Sequence, residues 1–148
     1  AVPYKMNDRL ALLGTVSWAE FSEFGHVQVS IADNGIPGTT VDAGFRDVWE
    51  FGVGMEYRYR PDLELTAGFT HSTSMSTDRT RPIVIPLGTM RRFAVGFKHE
   101  RRDDFTLGGG LTFIWEGNLP VKDTGGIVNG QYNNAWLAIP SLYATWEF

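Results

Sequence analysis

The chain has 148 residues, which is long enough for one domain with a core of its own. It contains no cysteine, which excludes disulfides and thiolate chemistry, and its net charge of −4 gives no basic field for nucleic acid. Aromatic residues make up 14% of the chain and glycine occurs 17 times, and both values are high. The longest apolar runs, such as Leu10–Leu13, are too short to cross a bilayer as a helix.

The dominant repeat along the chain has a period of two, which is typical of half-buried β-strands. The first predicted strand runs from Leu10 to Ile31, with an interruption at FSEFG. On both sides of the interruption, every second residue points to one mostly apolar face of the strand. These residues are Leu10, Leu12, Gly14, Val16 and Trp18, then Val27, Val29 and Ile31. We interpret this stretch as one strand with a bulge, because two strands would break the alternation of turns that follows.

The same alternation predicts four further strands, at 48–59, 63–72, 92–100 and 105–116. Their odd-numbered positions are mostly large and apolar, whereas their even-numbered positions carry charges, hydroxyls and glycines. A final strand is predicted from about Ala135 to Phe148, so that the last residue is an apolar aromatic.

The connections between these strands alternate in length. Short polar turns lie at NDR, RPD and RRDD, and long connections lie at about 32–47, 73–90 and 117–134. One end of the sheet therefore carries tight turns and the other carries large loops, as in an outer-membrane barrel. The predicted fold class is all-β, with about six antiparallel strands of a transmembrane β-barrel.

A soluble, lipocalin-like barrel also alternates, with its apolar face inward. Three features favour the membrane barrel. The polar face carries glycines and mid-strand charges, and the chain ends on Phe148, which resembles the C-terminal signal by which barrel proteins are recognised for insertion. In addition, aromatic side chains of the apolar face form two belts, as bilayer interfaces favour. The belt residues are Trp49, Phe93, Trp115 and Trp136 toward the loops, and Tyr57, Tyr59, Phe97, Phe105, Trp146 and Phe148 toward the turns.

Three stretches carry a more specific likeness. NDRLALLGTVSWAEFSEF joins a turn to an apolar strand that ends in an aromatic bulge, and DVWEFGVGMEYRYRPDLELTAGFTHSTS is a glycine-bearing hairpin. DRTRPIVIPLGTMRRFAVGFKHE joins a loop rich in Arg and Pro to the next strand. All three resemble segments of the FadL-like outer-membrane transporters of long-chain fatty acids and other hydrophobic compounds.

The resemblance implies a channel in the bacterial outer membrane, built as a barrel of about fourteen strands with an N-terminal plug. Since about six strands are predicted here, we expect residues 1–148 to form the C-terminal portion of such a barrel domain. Several copies that together close a barrel are the alternative. The chain begins at Ala1 with nothing that resembles a signal peptide, which predicts a mature form or a piece of a longer protein.

Two groups of residues are candidate ligand contacts. Arg58, Arg92 and Lys98 on the polar face could receive a fatty-acid carboxylate, although charges in a wet lumen most often pair with one another. The apolar residues Ile83, Ile85 and Leu87 are unusual in a solvated loop. They predict either a loop that packs on its neighbours or an outer groove that captures an apolar ligand.

The glycines of the polar face form a third group. Gly52, Gly54, Gly108 and Gly110 are predicted to line the lumen wall. Because glycine weakens a strand, they serve either to curve the barrel or to leave room for a plug or a sliding alkyl chain. Trp146 and Phe148 are predicted to act as the assembly signal.

No catalytic, metal or cofactor site is predicted. His71 and Ser72 are adjacent strand residues that point to opposite faces, which argues against a Ser–His hydrolase. GVG and GGG lie inside strands and open no helix, which argues against phosphate binding. The resemblance to the FadL-like family implies a passive uptake channel for hydrophobic small molecules, which is the function that we expect. Its expected partners are that ligand, outer-membrane lipid and the barrel-assembly machinery, with no nucleic acid. A structural or adhesive barrel, or a soluble lipid-binding barrel, is the alternative.

Overall fold

The computed structural model describes residues 2–23, 26–29, 39–42, 44–81, 87–102, 104–122 and 129–146. Within them, nine strands follow one another along the chain. They are β1 (Val2–Lys5), β2 (Leu10–Ala19), β3 (His26–Val29), β4 (Thr39–Asp42), β5 (Val48–Arg60), β6 (Leu63–Ser72), β7 (Met90–Arg102), β8 (Phe105–Lys122) and β9 (Asn129–Trp146). These residues include no helix that is long and apolar enough to cross a membrane.

Seven of these strands form one antiparallel sheet in the order β1-β2-β5-β6-β7-β8-β9. The all-β, antiparallel prediction is confirmed. The sheet is open, with β1 and β9 at its two edges. It is a single layer, and of its described apolar residues only Leu119 and Val121 are buried. Most large apolar side chains are instead displayed on one surface of the sheet.

The register keeps the predicted faces together across the sheet. Directly opposed residues of neighbouring strands point to the same side. One transverse row contains Leu12, Met55, Ala67, Val95, Leu111 and Pro140. The adjacent row, on the opposite side, contains Leu13, Gly54, Gly68, Ala94, Thr112 and Ile139. We call these two surfaces the apolar face and the polar face.

The prediction of one bulged strand from Leu10 to Ile31 is wrong. β2 ends at Ala19, and β3 pairs with β4 in a separate two-stranded sheet. The chain turns directly after β2, where the Phe21 amide donates to the Ala19 carbonyl at 3.1 Å. The alternation of apolar residues resumes in β3 because β3 is also a strand. A local sequence pattern does not reveal which other strand β3 pairs with.

The strand β1 was not predicted, because four residues give too short a pattern. It pairs with β2 at the edge of the sheet and contains Pro3. Proline is tolerated at such an edge because its missing N–H removes no inner ladder bond.

The predicted long connection at 117–134 is also wrong, since most of it belongs to β8 and β9. The two strands extend the hairpin to the pair Lys122 and Asn129. Register shifts flank Gly117, which has a φ of +72°. Such a bulge adds a residue on one strand and breaks the period of two. The alternation in the sequence therefore loses its phase here, although pairing continues.

Candidate functional site

The polar face carries a row of shallow depressions that runs from the loop end of the strands to the turn end. Three have volumes of about 280, 320 and 420 Å³ in that order. The first two meet at Arg92, and the second and third share Gly68, Ala94 and Thr112. We call this continuous surface, from Leu87 at the loop end to Lys98 at the turn end, the polar-face track.

The floor of the track is formed by residues with little or no side chain. Gly54 of β5 faces Gly68 of β6, which in turn faces Ala94 of β7. A Cβ atom on Gly54 would lie 3.4 Å from the Ala67 carbonyl oxygen, and one on Gly68 would lie 3.5 Å from that of Val53. Both are ordinary contacts, and neither glycine has a positive φ. Packing therefore does not require glycine at either position, and the effect of both is to leave the floor open.

The other predicted wall glycines are in tighter surroundings. A Cβ on Gly52 would lie 2.5 Å from the Thr15 methyl group, and one on Gly110 would lie 2.8 Å from the Val95 carbonyl oxygen. Gly108 is covered by the ring of Tyr143, its directly opposed neighbour on β9. Gly52 and Gly110 line the track, whereas at Gly108 the phenol ring forms the surface.

A polar cluster lies at the loop end of the track. Arg92 Nη2 donates to Glu50 Oε2 at 2.6 Å, and the Ser72 hydroxyl donates to the same oxygen at 2.6 Å. Two further polar atoms, Arg92 Nε and Thr70 Oγ1, are buried and make no hydrogen bond within the described part of the chain. The Arg92 side chain lines both of the depressions that meet at this point.

A second charged cluster lies at the turn end. Arg58, Glu64 and Lys98 are directly opposed on successive strands, so charges of opposite sign alternate across the sheet. Lys98 Nζ donates to Glu100 Oε1 at 2.7 Å. Lys98 is six residues from Arg92 along β7, a separation of roughly 20 Å in an extended strand. The structure therefore divides the three predicted cationic contacts between the two ends of the track.

The loop that precedes β7 is anchored by a residue that sequence reasoning missed. The Arg81 side chain is 6% exposed, forms an ion pair with Asp78 at 3.1 Å, and also donates to the Pro120 carbonyl of β8. Its Nε atom donates to the Leu87 carbonyl at 3.2 Å. Leu87 itself lines the first depression, while the predicted contacts Ile83 and Ile85 lie outside the described residues. The charged run DRTR, directly before the apolar residues of the same loop, was the available signal.

The side chains considered for catalysis lie apart from one another. Ser72 is on the polar face with its hydroxyl on Glu50, whereas His71 is on the apolar face opposite Phe51. His71 and Ser72 therefore form no catalytic couple. Among the described residues, no group of three His, Asp or Glu side chains could hold a metal ion.

Comparison with known proteins identifies the family. The profile of the family described as "Outer membrane protein transport protein (OMPP1/FadL/TodX)" matches residues 1–141. The chain belongs to this family. The resemblance to FadL-like proteins is thereby confirmed, and the protein is located in the outer membrane.

A solved structure shows the same fold. The crystal structure of a Pseudomonas aeruginosa FadL homologue matches with a TM-score of 0.76 at 20% identity. The match covers 97% of this chain and 34% of that one, so the chain spans about a third of that relative's length. Among curated proteins no significant match was found.

For this member of the OMPP1/FadL/TodX family, the apolar face carries aromatic pairs at both ends. Toward the loops, the ring centroids of Trp18 and Trp49 are 6.4 Å apart and those of Phe113 and Trp136 are 5.7 Å apart. Toward the turns, the Phe105 and Trp146 centroids are 4.7 Å apart. Paired belts of this kind mark the two interfaces of a bilayer. The terminal Phe148 lies outside the described residues.

Proposed function

We propose that this chain forms part of the lumen wall of an outer-membrane channel for the passive uptake of hydrophobic small molecules, such as long-chain fatty acids. The observation that carries the proposal is the polar-face track, whose floor consists of Gly54, Gly68 and Ala94. A wall of this kind offers an apolar molecule broad, shallow contact. Conduction needs binding that is strong enough for entry and weak enough for release, and shallow contact at successive depressions meets both needs.

The cationic side chains at the two ends of the track support the proposed substrate class. A fatty acid has one carboxylate and a long apolar tail. The Arg92 guanidinium, whose side chain is 40% exposed and lines two of the depressions, suits the carboxylate, because charge-assisted hydrogen bonds to guanidinium are strong and directional. The tail would then lie over Gly54 and Gly68. Lys98 and Arg58 at the turn end provide a second cationic position for the same head group.

The chain is proposed to act as the C-terminal portion of a larger barrel. The edges β1 and β9 leave backbone groups of the sheet unpaired, and lipid does not tolerate unpaired backbone groups. A match that spans 34% of a FadL homologue is consistent with this arrangement. Trp146 and Phe148 are proposed to present the final strand to the barrel-assembly machinery.

Gly54→Leu and Gly68→Leu test the channel proposal in the complete protein. Each places a side chain on the floor of the track, and the added Cβ approaches no backbone atom closer than 3.4 Å. Gly14→Leu is the matched control: the Gly14 backbone borders the second depression, but a side chain added there points to the apolar face, where its Cβ meets nothing within 4 Å. The measurement is uptake of radiolabelled oleate by cells with equal amounts of folded protein. We expect uptake to fall severalfold in the two track variants only, and unchanged uptake in both would refute the proposal.

A further inference from the structure

The apolar face contains one transverse row of unusual composition near the loop end. Its members are Val16, Phe51, His71, Arg91, Trp115 and Trp136, directly opposed from β2 to β9. We call this row the belt row. Its two central positions are basic, and its flanks are apolar, with aromatic residues on both sides of the basic pair. From this row toward the tight turns, the apolar-face positions in the regularly paired stretches of β5, β6, β7 and β8 are apolar except for His99 at the turn end, which contacts the Asp62 carboxylate at 3.0 Å. None of the apolar-face positions of β5, β6 and β8, or those from Arg91 to His99 of β7, is Asp or Glu.

Arg91 at the centre of the belt row has no acidic partner in the part of the chain that the structure describes. Its guanidinium carbon lies 5.0 Å from the centroid of the Trp115 ring. By contrast, Arg92, Arg81 and Lys98 each form an ion pair with a carboxylate. Contact with an aromatic ring holds the guanidinium in place and leaves its N–H groups free to donate.

The position of the belt row indicates which molecules surround it. The aromatic pairs Trp18–Trp49 and Phe113–Trp136 place this level of the sheet at a membrane interface. The belt row lies at the end of the sheet opposite the tight turns. In outer-membrane barrels the short turns are periplasmic and the long loops are extracellular. The belt row therefore lies at the level of the outer-leaflet head groups.

We propose that Arg91, assisted by His71, binds a phosphate group of an outer-leaflet lipid. Guanidinium and phosphate form paired, charge-assisted hydrogen bonds, and the imidazole of His71 on the opposed strand adds a further N–H donor. The flanking Phe51 and Trp136 are 48% and 63% exposed, so they offer apolar surface to acyl chains beside the phosphate. That surface favours a lipid over free phosphate. The proposal depends on the outer-membrane location and is independent of what the channel carries.

The test compares lipid binding by the complete protein and its variants in detergent. The probe is lipid A, a diphosphorylated glycolipid, together with its enzymatically dephosphorylated form, and the bound lipid is quantified by native mass spectrometry. Arg91→Gln should weaken lipid A binding about tenfold, as expected for loss of one hydrogen bond to a charged group. Arg92→Gln is the matched control, because the neighbouring side chain lies on the polar face, and it should bind lipid A like the native protein.

Three outcomes would overturn the proposal. They are equal lipid A binding by native protein and Arg91→Gln, equal binding of both lipid forms by the native protein, and displacement of lipid A by an equal concentration of inorganic phosphate. Correct folding is checked by the heat-dependent shift in gel mobility that folded barrels show. If Arg91→Gln does not fold, Arg91→Lys and His71→Gln replace it. Each of these two variants should lower the affinity for lipid A by a smaller factor than Arg91→Gln and leave binding of the dephosphorylated form unchanged. If both variants bind lipid A as tightly as the native protein does, the proposal is equally overturned.

Discussion

Arg91 and Arg92 are consecutive residues of β7 whose side chains lie on opposite faces of the sheet. The Arg91 guanidinium lies over the Trp115 ring at 5.0 Å, whereas Arg92 Nη2 binds the Glu50 carboxylate at 2.6 Å. The alternation of a β-strand produces this separation directly. Two residues of the same chemistry are therefore assigned to different surroundings, one at the lipid interface and the other at the loop end of the track.

Replacement of Arg92 should affect ligands according to their head group. We expect Arg92→Gln to lower uptake of labelled palmitate about fivefold to tenfold, since one hydrogen bond to a charged group is lost. Uptake of hexadecanol, which has the same tail without the charge, should change little. The double variant Glu50→Gln with Arg92→Gln controls for the carboxylate left unpaired. An equal loss for both ligands would show that Arg92 shapes the wall and does not select the head group.

The track glycines should differ in their effect on stability. Gly54→Ala should be neutral or stabilise the complete protein by about 0.5–1 kcal/mol, because alanine costs less conformational entropy on folding and its Cβ fits. Gly52→Ala should destabilise it by about 1–3 kcal/mol, because the new Cβ meets the methyl groups of Thr15 and Thr70. Reversible unfolding in urea and lipid vesicles measures both. Equal effects of the two substitutions, or a larger loss of stability in Gly54→Ala, would contradict this distinction between the two glycines.

Arg81 should hold the loop before β7 against β8. Arg81→Met removes the donors to the Leu87 and Pro120 carbonyls and the ion pair with Asp78. The Leu87 carbonyl keeps the Ser76 hydroxyl as a donor at 2.9 Å, so the loss falls mainly on the contacts with Pro120 and Asp78 and costs about 1–3 kcal/mol locally. We expect limited proteolysis of intact cells to cut within 73–81 faster in this variant. Arg79→Met is the matched control, because Arg79 is exposed two residues earlier in the same loop. Equal cleavage rates in the two variants would contradict the anchoring role.

The end of the chain should matter for assembly more than for final stability. Deletion of Phe148 is expected to lower the yield of folded protein in cells, because the final strand would lack its terminal aromatic. Refolding of the purified protein into detergent should remain largely intact. Gel mobility of unheated samples measures both yields. Normal assembly in cells after the deletion would count against an assembly signal at this position.

The contact between Ser22 and Asp47, in the loop before β5, should weaken in acid. Hydrogen bonds from the Ser22 hydroxyl at 2.7 Å and the Ser22 amide at 3.1 Å hold the pKa of Asp47 below its usual 3.8. Because the folded pKa is lowered, this stabilisation is complete above pH 3.8 and is lost as the pH falls through the folded value. Hydrogen exchange at Ser22 should therefore accelerate in that acidic range. Asp47→Asn should remove the pH dependence, and an unaltered acid response in that variant would exclude Asp47 as its source.

The sequence by itself determined the two faces of the sheet. Alternation places Phe51 and Val53 on one side of β5 and Gly52 and Gly54 on the other, because the side-chain period of a strand is a local property of the backbone. The fold class and the membrane belts follow from the same pattern. The pattern failed at β3 and at Gly117, where pairing partners or a bulge, and not the period, decided the structure.

Only the tertiary structure decided what each residue of a face does. Gly52 and Gly54 are equivalent in the sequence pattern, yet the first is enclosed by two threonine methyl groups and the second lies on an open floor. Tyr143 covers Gly108 from a strand more than thirty residues later in the chain. The partners of Arg91 and Arg92 are likewise supplied by other strands. The physical reason is that cross-strand register, which selects these neighbours, depends on how distant segments pair and is absent from any local window of sequence.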